Sequence, residues 1–252
     1  MRHQVKRSTL DGEKLTSAFA DGYWRVKTFS EVDSTQDVIR LSQPRHGDVV
    51  TADFQSKGRG RLDRSFESVP DAGLLFSLFV EPKVEREKWG VLPLLVGMSV
   101  AQTLNDQAGS ATFQTKWPND VLAAGGKIAG ILCESFNSGV IVGIGINVNT
   151  SRENLPVSTA SSMYLELGVE LERTEILIGI LRNLKNTFAS WNEGQDLISA
   201  YKSSNATLGQ NVRVMLPDGE ELYSQAVNVG SDGALELANG ERVTVGDVVH
   251  LR

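Results

Sequence analysis

The stretch that most constrains this chain is residues 140–149. Read with the two-residue period of a strand, it puts Val142, Ile144, Ile146 and Val148 on one face. Gly143, Gly145, Asn147 and Asn149 fall on the other. So apolar a run belongs in the middle of a sheet. Glycine in such a strand buries nothing and weakens it, so the bare face needs an explanation. One reading is a bulge with close strand packing. The other is a bed for a flat ligand, with two amide side chains beyond it, and the pattern favours this one.

The rest of the chain supplies neighbours for that strand. Residues 24–32, 49–55, 74–80 and 112–117 carry β-branched and aromatic enrichment and read as strands. Residues 90–107 read as a helix with Pro93 in its first turn and Leu94, Val96, Val100, Ala101 and Leu104 in the stripe. Residues 174–190 carry Leu177, Leu181, Leu184 and Phe188 at helical spacing. Short helices are expected at 13–20 and 195–202. After residue 208 the texture changes to short alternating runs. Asp218-Gly219, Asp232-Gly233 and Asn239-Gly240 separate them as hairpin turns, which suggests a small β-barrel. The expected organisation is a lead-in over 1–23, a main domain over 24–206 and a small domain over 207–252.

Three further motifs carry chemistry. Residues 55–64, Gln-Ser-Lys-Gly-Arg-Gly-Arg-Leu-Asp-Arg, place four cations and two glycines between Lys57 and Arg64. Exposed backbone N–H groups and arginine forks suit phosphate oxygens. A solvated basic loop is the favoured reading of such a charge run taken alone. It is neither a dinucleotide fingerprint nor a Walker loop. Lys116-Trp117-Pro118-Asn119-Asp120 sets a lysine and two oxygen donors around a turn. It reads as an ordinary β-turn or as a holder of Mg²⁺ and nucleotide. Gly125-Gly126-Lys127 turns the chain into an apolar strand over 128–133. Lys127 there either reaches solvent or faces a pocket needing positive charge. Asp33-Ser34-Thr35-Gln36 reads locally as a helix N-cap.

Composition narrows the chemistry. Cys133 is the only cysteine, and the histidines are His3, His46 and His250. An internal disulfide and a cysteine-rich zinc site are excluded, and a Ser-His-Asp triad is disfavoured. Any reaction must run on Lys, Arg, Asp, Glu, amides, backbone and a metal ion. The net charge of −6 argues against broad nucleic-acid binding. No apolar run reaches the roughly 18 residues of a membrane span, and the first residues lack the apolar stretch of a secretory signal.

Taken in order, Gly-Arg-Gly-Arg at 58–61, Lys-Trp-Pro-Asn-Asp at 116–120, Gly-Lys-Ile-Ala-Gly-Ile-Leu at 126–132 and Gly-Ile-Gly-Ile-Asn at 143–147 resemble the biotin protein ligases. The resemblance runs from about Trp24 to the C-terminus. It implies an α+β fold: a class II synthetase-like mixed sheet with helices on one face, plus a C-terminal SH3-like barrel. It implies adenylation of biotin by ATP to biotinyl-5′-AMP, then transfer of biotin to a lysine of a biotin carboxyl carrier domain of an acyl-CoA carboxylase. By the same resemblance Ser34, Thr35, Gln36 and Gln55 hold the ureido end of biotin, and Gly130, Gly143 and Gly145 line its bed. Arg59, Gly60 and Arg61 lie over biotin and the phosphates, and Arg64 serves the nucleotide. Lys127 meets the biotin carboxylate and the α-phosphate. Lys116, Asn119, Asp120 and Asn147 serve ATP and Mg²⁺, with Asp120 also a candidate to orient or deprotonate the acceptor lysine.

The chain departs from the family pattern at Gln36, where Asn is usual, at Asp63, where Gly is common, and at Phe66, where Trp is common. The implied enzyme is cytoplasmic, a monomer or homodimer, without a membrane or DNA partner. Residues 1–23 are too few for a helix-turn-helix domain. Lipoate and octanoyl transferases rank second, because they typically lack this arginine loop. A DNA-binding repressor and a biotin binder without catalysis are the readings from other classes.

Overall fold

A computed structural model describes residues 8–61 and 64–251. His3 and the Asp63 departure lie outside the described residues. In chain order the elements are α1 (Gly12–Ala18), β1 (Arg25–Val32), α2 (Thr35–Leu41), β2 (Asp48–Gln55), β3 (Gly73–Val80), α3 (Leu92–Ala108), β4 (Phe113–Lys116), β5 (Asp120–Ala123), β6 (Gly126–Phe136), β7 (Gly139–Asn147), α4 (Met163–Leu167), α5 (Arg173–Asn192), α6 (Ile198–Ser203), β8 (Asn211–Met215), β9 (Glu221–Val229), β10 (Leu235–Leu237), β11 (Arg242–Val243) and β12 (Asp247–His250). The chain divides into two compact units, Met1–Glu81 with Gly125–Leu181 and Pro82–Ala124 with Arg182–Arg252.

In the first unit five strands run in the order β1-β2-β3-β7-β6. The β1–β2 pair is parallel and the other pairs are antiparallel, so the sheet is mixed. β3 and β7 are buried along their whole length, as their near-continuous apolar sequences require. Register sets what surrounds the glycines. Gly143 stands opposite Ser77 on β3 and Leu132 on β6, and Gly145 opposite Leu75 and Gly130. Opposed residues share a face, so these six form one patch with a strip of missing side chains. The other face carries Leu74, Phe76, Leu78, Val142, Ile144 and Ile146, all buried. Helix α2 packs on the glycine-bearing face, with Ile39 against Val50, Phe79 and Ile141. The buried Trp24 ties the start of β1 to α5 by donating from Nε1 to the Leu181 carbonyl at 2.7 Å.

In the second unit β4 and β5 form a hairpin with Lys116 opposite Asp120, next to α3. Helix α3 has Pro93 in its first turn and ends on Gly109 in the left-handed conformation, φ 64°. The C-terminal strands make an antiparallel sheet in the order β11-β10-β9-β8-β12. Gly219, Gly233 and Gly240 take φ of 90°, 88° and 89°, which is why glycine stands in each of the three expected turns. The order is that of an open sheet. Among the described residues no pairing joins β11 to β12, so closure into a barrel is not part of this arrangement.

Two elements have no counterpart in the sequence reading. β5 is four residues between Pro-Asn and Gly-Gly, too short to display a period. α4 is five residues long, capped by the Ser162 side chain and ended by Gly168. No helix among the described residues is long and apolar enough to cross a membrane.

Candidate active site

The N-terminus of α2 meets the end of β2 beside the glycine strip. Ser34 holds the N-cap position in extended conformation, yet its side chain makes no capping bond. Gln55 does that work from β2. Its Oε1 accepts from the Thr35 N–H at 2.7 Å and from the Thr35 hydroxyl at 2.8 Å. The N-cap reading of residues 33–36 thus holds in position, while the oxygen that caps the helix comes from Gln55 of β2. The Thr35 hydroxyl also lies 2.8 Å from Ser77 Oγ. Gln36 donates from Nε2 to the Leu132 carbonyl at 3.2 Å, and a Cβ on Gly143 would stand 2.8 Å from its Cδ. Ser34, Thr35, Gln36 and Ser77 are all buried. Ser77 was not among the expected site residues. Its signal is visible, since it is the one hydroxyl in the apolar run 74–80.

The glycine–arginine loop is hinged at this corner. The Ser56 and Lys57 N–H groups donate to the Val32 and Asp33 carbonyls at 3.0 and 2.8 Å. Lys57 Nζ pairs with Asp33 at 2.8 Å, which holds the Asp33 carboxyl below its ordinary range and raises the lysine. Beyond it the chain doubles back. Gly60 N–H donates to the Arg64 carbonyl at 2.7 Å, Phe66 N–H donates to the Gly58 carbonyl at 2.9 Å, and Arg59 bridges Ser65. Gly58 is required there, since a Cβ would stand 2.2 Å from the Phe66 carbonyl oxygen. The return brings the Phe66 ring onto Gly145, where a Cβ would stand 2.7 Å from the ring. The strip read as bare is therefore covered by this chain's own groups, Gln36 on Gly143 and Phe66 on Gly145.

The cations of the loop have distinct settings. Arg59 pairs with Asp37 of α2 and Glu134 of β6, both at 3.1 Å. Arg61 is partly buried and Arg64 exposed. Burial pushes the Cys133 thiol up, and the Arg61 charge opposes that rise. Cys133 is therefore a suppressed nucleophile.

Lys127 is the second residue of β6, where a segment outside the named strands grips its backbone. Its N–H donates to the Thr159 carbonyl at 2.9 Å, and its carbonyl accepts from Ser161 N–H at 2.9 Å. Asn147 donates to the Ser161 carbonyl at 3.1 Å and Arg152 to the Ala160 carbonyl at 2.7 Å. Lys127 and Asn147 are thus joined through residues 159–161, a link no sequence pattern announced. Asn149 lies past the end of β7. Its amide exchanges two bonds of 2.9 Å with the Leu171 backbone, so it acts as a brace and not as part of the strip.

Lys116, Asn119 and Asp120 belong to the second unit, at the β4–β5 turn, where the Trp117–Pro118 bond is cis. Trp117 is buried. Its backbone N–H donates to Thr207 Oγ1 at 3.1 Å and its indole N–H to the Gly233 carbonyl at 2.9 Å. His250 Nε2 lies 3.1 Å from the same Thr207 hydroxyl, and burial, then the Lys116 charge, lower its pKa. Among the described residues no three His, Cys, Asp or Glu side chains converge as a metal cage. Mg²⁺ carried on nucleotide phosphates needs only one or two protein carboxylates, so the Asp120 carboxylate fits that mode of binding.

The comparisons with known proteins decide the family. Residues 28–151 match the model of the biotin/lipoate A/B protein ligase family. A biotin–[acetyl-CoA-carboxylase] ligase of Mycobacterium tuberculosis is 36% identical over 214 residues, 82% of this chain and 80% of that one. The chain belongs to the biotin protein ligases. The bifunctional ligase/repressor BirA of Bacillus subtilis is 30% identical over 85% of this chain and 68% of its own length. The structure of the Aquifex aeolicus biotin protein ligase in complex with biotin and ATP aligns with a TM-score of 0.80 at 29% identity. It covers 90% of this chain and 99% of that one. The Gly-Arg-Gly-Arg loop, β6 and β7 of this ligase all fall within residues matched by the family model, whereas the C-terminal sheet lies beyond them.

Proposed function

We propose that this chain is an ATP-dependent biotin–protein ligase that forms biotinyl-5′-AMP and passes biotin to one lysine of a biotin carboxyl carrier domain of an acyl-CoA carboxylase. The observation that carries the reading is the Gln55–Thr35–Ser77 network beside Gly143 and Gly145, which Gln36 and Phe66 line. The network suits a polar head, and the Phe66 ring gives a flat ring system an apolar face. Thr35, Gln36 and Gln55 receive the ureido group with Ser34. Arg59, Gly60 and Arg61 lie over the bound molecule, with Arg64 toward the nucleotide.

Biotin brings its own nucleophile. Its carboxylate attacks the α-phosphate of ATP, the bond to the bridging oxygen breaks, and pyrophosphate leaves. The barrier is the approach of two anions and the charge on the departing group. Lys127 and Arg61 are assigned to those oxygens, where fixed cations lower it. Lys116, Asn119 and Asn147 hold ATP. Asp120 would hold Mg²⁺, which when bound neutralises phosphate charge. In the second step the neutral amine of the acceptor lysine attacks the biotinyl carbonyl and AMP leaves. Asp120 is assigned to orient that amine or take its proton.

In this proposal residues 24–206 form the catalytic domain, class II synthetase-like with helices on one face, 207–252 form an SH3-like module, and 1–23 are a lead-in. The enzyme is cytoplasmic and monomeric or homodimeric. The test is ATP-dependent labelling of a carrier domain with biotin or lipoate in parallel. Labelling with biotin alone is expected. Labelling with lipoate alone would transfer the assignment to the other branch of the family.

A further inference from the structure

We propose that Asp37 and Glu134 are positioning residues that latch the glycine–arginine loop through Arg59 and set how long the acyl-adenylate is retained. The inference rests on the reading of that loop as the cover of the site. Arg59 is held from two sides, Nη1 by Asp37 Oδ1 and Nη2 by Glu134 Oε1, each at 3.1 Å. Asp37 stands in the first turn of α2 beside Gln36, and Glu134 stands on β6 two residues beyond Leu132. A single guanidinium thus joins helix α2 to strand β6. The return of the same loop sets Phe66 on Gly145. Glu134 is itself fixed. Its Oε2 accepts from Arg40 Nη2 at 2.8 Å, and Arg40 lies over the Phe136 ring at 5.1 Å. The stator is therefore a braced carboxylate, and the moving part is the arginine.

Exposure sets the strength of the latch. The side chains of Arg59, Asp37 and Glu134 are 41%, 47% and 27% exposed. Ion pairs this wet are individually weak and are screened by salt. A buried pair would lock the loop shut. This one opens and re-closes, as admission of ATP and of the carrier lysine requires. A mixed anhydride hydrolyses in water, so the closed fraction decides whether the adenylate survives until transfer.

The test compares the enzyme with Asp37→Asn, Glu134→Gln and the double variant. Amide hydrogen exchange over residues 57–66 reads the latch without catalysis. Biotin, labelled ATP, Mg²⁺ and a carrier domain then give the ratio of biotinyl-AMP escaping to biotin transferred. Losing both carboxylates should raise loop exchange and the escaping fraction about fivefold, the scale of two exposed pairs. Raising KCl should bring the unmodified enzyme toward the double variant and leave the variant nearly unmoved. Unchanged loop exchange and escape, or a uniform rise in exchange across the unit with unchanged escape, would overturn the latch. If the unmodified enzyme makes no biotinyl-AMP, the proposed function fails first, and the exchange data separate that outcome from a failed latch.

Discussion

The carbon chain of Gln36 lies on the Cα of Gly143, so close that a methyl group there would stand 2.8 Å from Gln36 Cδ. The partner is one flexible side chain, buried at 3% exposure. Gly143→Ala is therefore expected to push the carboxamide off the Leu132 carbonyl and cost about 1–3 kcal/mol, the usual range for overpacking. Biotin affinity should fall with it. Calorimetric titration of biotin beside a denaturation curve checks both, and unchanged affinity would mean that Gln36 does not shape the biotin site.

Gln55 links β2 to the head of α2. Gln55→Ala removes the acceptor of a buried N–H and of a hydroxyl. Leaving such donors unsatisfied costs about 1–3 kcal/mol. The urea midpoint should drop accordingly. Thr35→Val in the same background should cost less than it does alone, because the two residues share one interaction.

Arg173 and Asp53 form a deeply buried ion pair in the first unit, 2.7 Å apart with side chains 3% and 10% exposed. Arg173 also donates to the Gly73 carbonyl at 3.0 Å, next to Ala72, whose carbonyl accepts from Asn149 N–H. Arg173→Met strands a buried carboxylate, for which about 3–5 kcal/mol is typical. Adding Asp53→Asn should recover part of the loss. Equal stability of the single and double variants would show that the stranded charge is not the cause.

The fold was legible where burial imposes a period. β3, β7, α3 and α5 follow from apolar repeats, and the three C-terminal turns from glycines that need positive φ. The candidate site was legible only as pieces. Gly143 and Gly145 announced a bare strip, and the Gly-Arg-Gly-Arg run a loop. That Gln36 and Phe66 lie on the strip depends on contacts across 107 and 79 positions, taken from 36 to 143 and 66 to 145, which no local pattern encodes. The same holds for Gln55 capping α2 and for the grip of residues 159–161 on Lys127. Ser77 and Asp53 did carry a signal, as polar residues inside apolar strands. Glu134 carried none, because a carboxylate near the end of a strand reads as solvent-facing.

His250 gives a pH dependence. Its folded pKa is depressed, by burial first and by Lys116 second. The unfolded chain therefore binds the proton more readily than the folded one. Stability should be at its full value above the unfolded pKa of about 6.5 and fall as pH drops through it, levelling once the folded form also protonates. His250→Gln should flatten that part of the profile, followed by thermal melts between pH 5 and 8. A profile unchanged by the substitution would remove His250 as its source.

The proposed chemistry is activation of a carboxylate as an adenylate. The direct measurement is incubation with biotin, α-labelled ATP and Mg²⁺ without any carrier, followed by separation of the products. Labelled biotinyl-5′-AMP bound to the enzyme is the expected product, and it is lost in Lys127→Ala. Failure to form it from biotin, or its undiminished formation by Lys127→Ala, would contradict the account.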